Sequence, residues 1–191
     1  MPMQRPTPAR IGFVALVTMF WSAPFTAAQT SPKPAATMTG TILPWWTMIE
    51  QSFVAAADAM PDGKWAFAPK DGAFDGVRTF AEQVKHVACA NYAFFQEIEG
   101  KTPPDACETG GPNPARTKSE LMTYLRESFA YARQVIEKMT PANALDPASG
   151  RYGGESTRLG LTTLAIWHAS DHYGQLVIYL RLNGIVPPAS R

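Results

Sequence analysis

His168 and His172 stand four residues apart in TTLAIWHASDHYGQLVIYLRL, and a third histidine, His86, lies in FAEQVKHVACANYAFF. On a helix, a spacing of four stacks two imidazoles on one face, one turn apart. Such a pair can share a divalent metal ion. A third imidazole from a neighbouring helix completes a three-nitrogen site with positions left open, the arrangement of a catalytic metal rather than a closed structural one. An open position takes water, whose pKa the ion lowers towards ~7, giving a hydroxide able to attack an ester, an amide or a similar centre. Residue Ala169 follows the first histidine of the pair, so the motif is not H-E-x-x-H and lacks the glutamate base of the zinc proteases. No G-x-S-x-G, phosphate-binding loop or dinucleotide motif occurs.

At ~100° per residue, His168 and His172 fall on the centreline of a stripe with Leu161, Leu164, Leu176 and Tyr179, and therefore point into a core. Buried imidazoles need partners: a metal ion, or hydrogen bonds to Tyr or Asp side chains. His86 lies roughly 120° from the centre of its own apolar stripe, beside Ala90 and Ala93. Small neighbours leave room for an ion, water or a ligand; the plainer reading is a partly exposed histidine at the stripe's edge. Asp171 flanks the pair and is the candidate to orient a histidine or handle a proton, or it is a solvated helix aspartate. Asn91 and Tyr173 are weaker candidates of the same kind. Trp45, Trp46 and Trp167 can line an apolar pocket between helices, although aromatics at helical spacing are more often plain core.

Four helices must position these groups. The first is expected from about Leu43 to Met60, with Trp45, Trp46, Ile49, Phe53 and Ala57 at helical spacing and Pro61 after it. The second starts behind Thr79, which with Glu82 fits a capping box, and ends near Gly100. The third has a capping-box candidate in Thr117 and Glu120 and stops before Pro141. The fourth runs from about Arg158 to Asn183, with Gly184, Pro187 and Pro188 beyond its end. It is apolar around most of its circumference and is expected to be the most buried. With no repeat and no strand pattern, the class is all-α, an antiparallel-type four-helix bundle whose connections are longer than an idealised bundle needs.

The chain's beginning reads differently. Arg5 and Arg10 precede the apolar run IGFVALVTMFW and then SAPFTAAQT, the pattern of a secretory signal cut ahead of Gln29. The run is shorter than the ~20 residues of a membrane span, although an uncleaved anchor is the alternative. The expected organisation is a signal peptide over 1–28, a Pro/Thr/Ala-rich linker over 29–40 and one folded domain over 41–191. Export places Cys89 and Cys107 in an oxidising compartment and favours a disulfide, worth on the order of 3 kcal/mol in the chain-entropy model. Free thiols, or Cys89 acting at the site three residues after His86, are the alternatives. A net charge of +1 gives no electrostatic footprint for nucleic acid.

Three segments, VRTFAEQVKHVACANYAFF, TKSELMTYLRESFAYARQVI and TRLGLTTLAIWHASDHYGQLVIYLRLNGIVPPAS, resemble the DinB-like (DinB/YfiT) superfamily of four-helix metal proteins. The resemblance implies one metal-binding histidine on the second helix and two on the fourth, carried here by His86, His168 and His172, around a divalent ion, commonly nickel or zinc. It also implies activities among thiol S-transfer, thiol-dependent isomerisation and hydrolysis, and bundles that often dimerise. Export weighs against thiol transfer, because low-molecular-weight thiol cofactors are mainly cytoplasmic. The expectation is therefore a metal-dependent, hydrolase-like enzyme acting on a small molecule, with no nucleic-acid partner, no membrane association after signal cleavage and a homodimer as a possible assembly. The competing readings are a non-catalytic metal or small-ligand binder, a thiol S-transferase, and a structural bundle whose histidines are satisfied internally.

Overall fold

The computed structural model describes residues 36–191; the expected signal segment and the linker up to residue 35 lie outside them. Four α-helices follow in order: α1 Met38–Ala59, α2 Phe80–Ile98, α3 Lys118–Glu137 and α4 Arg158–Leu182. Among the described residues there is no β-strand, only isolated bridges Pro147–Thr157 and Gly150–Gly154 within the α3–α4 connection. No described helix is long and apolar enough to cross a membrane.

The helix starts are set by side chains that meet orphan N–H groups. Thr79 and Thr117 each accept from the backbone N–H of the residue three on, Glu82 and Glu120, whose carboxylates reach back to the cap, so both expected capping boxes form. Thr37 accepts from the N–H of Gly40, and this cap starts α1 more than a turn ahead of the expected Leu43, with Pro44 inside the helix. The cap outweighs the missing N–H of Pro44, which falls early enough to weaken only the first turns.

Around the bundle the helices follow the order α1, α3, α2, α4, each touching the two beside it. The connections α1–α2 and α3–α4 therefore join helices across a diagonal, which explains why they are long. Where α1, α2 and α3 meet, the core is aromatic. Trp46 packs against Phe95 and Phe129 at 5.1 Å between ring centroids, and its indole Nε1–H donates to the Phe129 carbonyl at 3.2 Å.

One burial expectation is overturned: α2, not α4, is the most buried helix. α2 buries even Gln83, His86, Asn91 and Glu97, whereas α4 leaves Trp167 (63%), Leu182 (56%) and Ile178 (51%) exposed. α2 lies between α3 and α4 and is covered in addition by the Cys107–Thr109 turn, while α4 packs between α1 and α2. Cys89 and Cys107 form the expected disulfide, with 5.2 Å between their Cα atoms, so Cys89 is not a free thiol at the site.

Candidate metal centre

α2 presents His86 towards α4, and α4 presents His168 and His172 towards α2. The ring centroids stand 5.0 Å (His86–His168), 4.7 Å (His86–His172) and 4.5 Å (His168–His172) apart. Each ring offers one nitrogen, and the three all lie within 4.8 Å of one another, a group that can hold a metal ion. His86 is buried rather than marginal, at 5% exposure, because the Cys107 turn covers the edge of the α2 stripe; His172 is buried at 6%, and His168 is half-buried at the cleft.

The protonation states suit ligation. Burial, then the neighbouring His172 and His86, push the pKa of His168 down to about 3. Burial, then His86 and Arg78, push His172 down to about 4. Burial also lowers His86, against the opposing effect of its bond to the Cys107 carbonyl. All three imidazoles are therefore neutral at ordinary pH and carry a lone pair for a ligand.

Their hydrogen bonding is incomplete in an informative way. His86 Nδ1–H donates to the Cys107 carbonyl at 2.7 Å, which leaves Nε2 with the lone pair, 3.1 Å from Nε2 of His168. That separation suits two nitrogens each ~2.0–2.1 Å from one ion. The buried Nδ1 atoms of His168 and His172 have no hydrogen-bond partner. The internal solution, in which Tyr or Asp side chains satisfy the pair, does not occur among the described residues. The donor set fits a divalent ion: three neutral imidazoles with one nitrogen of each converging.

The rings open onto a cleft of ≈ 380 Å³. Phe94, Leu164, Trp167 and Tyr152 give it apolar walls, and Arg78, Glu108 and Asp171 stand at its rim. Phe94 meets the His168 ring edge-to-face at 5.4 Å. Arg78 is held by the Glu108 carbonyl, to which Nη2 and Nε donate at 2.8 and 3.1 Å. Asp171 is exposed beside the ligands and accepts from Gln175 Nε2 at 3.0 Å; Gln175 Oε1 accepts in turn from Gln83 Nε2 at 2.6 Å.

Other candidates fall away from the cleft. Asn91 is fully buried towards α3 and donates to Ser128 Oγ at 3.1 Å. Tyr173 packs half-buried against the core and does not line the cleft. Of the three tryptophans expected to form a pocket, only Trp167 does; Trp46 is core and Trp45 is 58% exposed elsewhere on α1. Arg78, Glu108 and Tyr152 were not legible as site residues. All three lie outside the four α-helices, where no periodicity marks a face.

A family model described as the DinB superfamily matches residues 46–176, more than half of the chain. No curated protein matches by sequence. A DinB-like protein from Bacillus cereus ATCC 10987 superposes with a TM-score of 0.61 at 16% identity, covering 80% of this chain and 96% of its own. A DinB-like protein from Bacillus subtilis gives 0.59 at 17%, covering 75% and 92%, and a conserved protein from Enterococcus faecalis gives 0.61 at 16%, covering 78% and 98%. At these identities the likeness to solved structures concerns the fold.

Proposed function

The chain belongs to the DinB superfamily, and from the convergence of its three imidazoles we propose that it binds a divalent metal ion through His86, His168 and His172 and uses the adjoining cleft as a hydrolase-like active site. Zinc and nickel are the ions this reading names, both among the metals that imidazole ligands suit. The observation that carries it is the convergence of one nitrogen from each of three imidazoles within 4.8 Å of one another, one ring locked by a backbone carbonyl and all three residues lining one cleft. Bound there, a divalent ion supplies Lewis acidity and lowers the pKa of a water ligand.

The remaining work falls to the chain's own groups. His86 is held in one tautomer by the Cys107 carbonyl, so its lone pair faces the other two rings. Asp171, steadied by Gln175, is the carboxylate beside the ligands that can take a proton from the reacting group. Phe94, Leu164 and Trp167 offer apolar surface to a small substrate, and Arg78 offers a cation at the rim. Export to an oxidising compartment is part of the proposal, and the Cys89–Cys107 disulfide supports it.

One observation favours a second reading, a metal or small-ligand binder without turnover: among the described residues lining the cleft, neither carboxylate is buried. Zinc- or nickel-loaded protein assayed against ester, amide and thiol-transfer substrates separates the two. The enzyme reading expects turnover that His168→Ala abolishes and Asp171→Asn reduces. Stoichiometric metal with no turnover across the panel replaces it with the binder.

A further inference from the structure

We propose that the Cys89–Cys107 disulfide is a positioning element of the metal centre: it pins the Cys107 carbonyl against His86 and thereby fixes which nitrogen of that ring faces the other two histidines. The inference rests on the metal-site reading above and adds to it a covalent device outside the ligand set.

Cys89 lies one turn beyond His86 on α2, a spacing that puts both on one side of the helix. The disulfide draws the Cys107–Thr109 turn onto that side, with both cysteines fully buried. The carbonyl so delivered accepts from His86 Nδ1–H at 2.7 Å. A carbonyl bonded to one ring nitrogen sets the tautomer and the ring's orientation, and outer partners of this kind commonly decide a site's affinity.

The turn needs a constraint. Ala106, immediately before Cys107, holds a left-handed backbone at φ 56°, unfavourable for a residue with a Cβ. Gly110 and Gly111 follow at φ 93° and 72°, and a Cβ on Gly111 would stand 2.3 Å from Cys89 Sγ. Two hydrogen-bonding neighbours help. Tyr152 Oη accepts from the Cys107 N–H at 3.3 Å and donates to the Pro104 carbonyl at 2.9 Å, and Arg78 donates to the Glu108 carbonyl. Both are half-buried side chains open to water at the cleft, whereas the disulfide is covalent and enclosed.

The experiment uses the oxidised chain, the same chain reduced under native conditions with a phosphine, Cys89→Ala/Cys107→Ala, and Tyr152→Phe. Two properties are read at fixed pH: the His86 ring tautomer in metal-free protein, from ¹H–¹⁵N ring correlations, and zinc affinity by competition with a chelator. The expected result is an Nδ1–H tautomer of His86 in the oxidised chain, exchange between both tautomers without the disulfide, and a rise in zinc Kd of ~10–100-fold. Tyr152→Phe, which keeps the disulfide, is expected to retain the tautomer and shift Kd by less than about threefold, well below that range. An unchanged tautomer in folded, reduced protein overturns the proposal. So does loss of the tautomer in Tyr152→Phe, which would give the carbonyl's placement to the hydroxyl; that arm can still overturn the proposal if the reduced and alanine forms unfold. If the oxidised chain takes up no zinc, the metal reading fails, and the tautomer measurement still decides this one.

Discussion

Two buried polar sites hang from one face of α2, and only one of them is closed. Glu97 and His86 stand at a spacing that returns to the same side of the helix, and both are buried. The carboxylate of Glu97 is fully met by the protein: Oε1 accepts from the Tyr152 N–H at 2.8 Å and Oε2 from the Gly153 N–H at 2.9 Å. Gly150 is glycine because a Cβ there would stand 2.3 Å from Glu97 Cδ, so the loop closes over the carboxylate at contact distance. The histidine site has only its first imidazole satisfied, and the buried Nδ1 atoms of the other two find no partner. The first is architecture, a latch between α2 and the α3–α4 connection. The second brings one nitrogen from each of three rings together beside a cleft, which is what a site for a visiting ion requires. The two are linked, since the segment latched by Glu97 carries the Tyr152 hydroxyl that braces the Cys107 turn.

That contrast can be broken most strongly at the latch. Glu97→Ala strands two backbone N–H groups and is expected to cost about 2–4 kcal/mol in urea unfolding, with Glu97→Gln milder because its amide oxygen still accepts one bond. A loss below about 0.5 kcal/mol would show that the latch bears no weight. At the open site the effect should appear only with metal. Zinc at a hundred times its Kd is expected to raise stability by ~2.7 kcal/mol, with the gain absent in His168→Ala. In metal-free protein, His168→Ala should cost less than Glu97→Ala, since it removes a ring nitrogen that had no partner. Away from both sites, Thr117→Ala removes a capping bond and is expected to cost ~1 kcal/mol without altering zinc affinity.

The smallest expected effect is electrostatic. Lys101, then Tyr131 and Lys138, hold the Glu99 carboxyl down to about 2. A depressed carboxylate adds stability that is fully present above its ordinary pKa of ~4.3 and is lost as pH falls towards the lowered value. Glu99→Gln should therefore lower stability modestly near neutrality, where the contribution is fully present, and flatten the profile between about pH 4.5 and pH 2, so that the two proteins converge in acid. Identical acid limbs in the two proteins would contradict this.

Much of the fold and of the site is legible in the sequence, for physical reasons. Capping boxes are local chemistry, so Thr79 and Thr117 marked their helix starts correctly. The four-residue histidine spacing survives any bundle geometry, and the third ring needed only a neighbouring helix. What failed depended on neighbours. An all-round apolar α4 suggested deep burial, but apolarity does not say how many elements surround a helix, and Trp167 ends at the rim of the cleft. The edge position of His86 looked exposed because the covering turn reaches it through a disulfide from a distant loop. Arg78, Glu108 and Tyr152 arrive on connections whose path follows from the diagonal helix order, which hydrophobic periodicity does not encode.

The central claim is that the three imidazoles hold an ion, and elemental mass spectrometry of natively purified protein beside His168→Ala tests it most directly. The account predicts about one equivalent of nickel or zinc, as one three-nitrogen site requires, lost in a variant that keeps its helical circular dichroism. Protein that carries no metal, and takes up neither ion on reconstitution, would contradict it and leave the three histidines as packing groups of the α2–α4 contact.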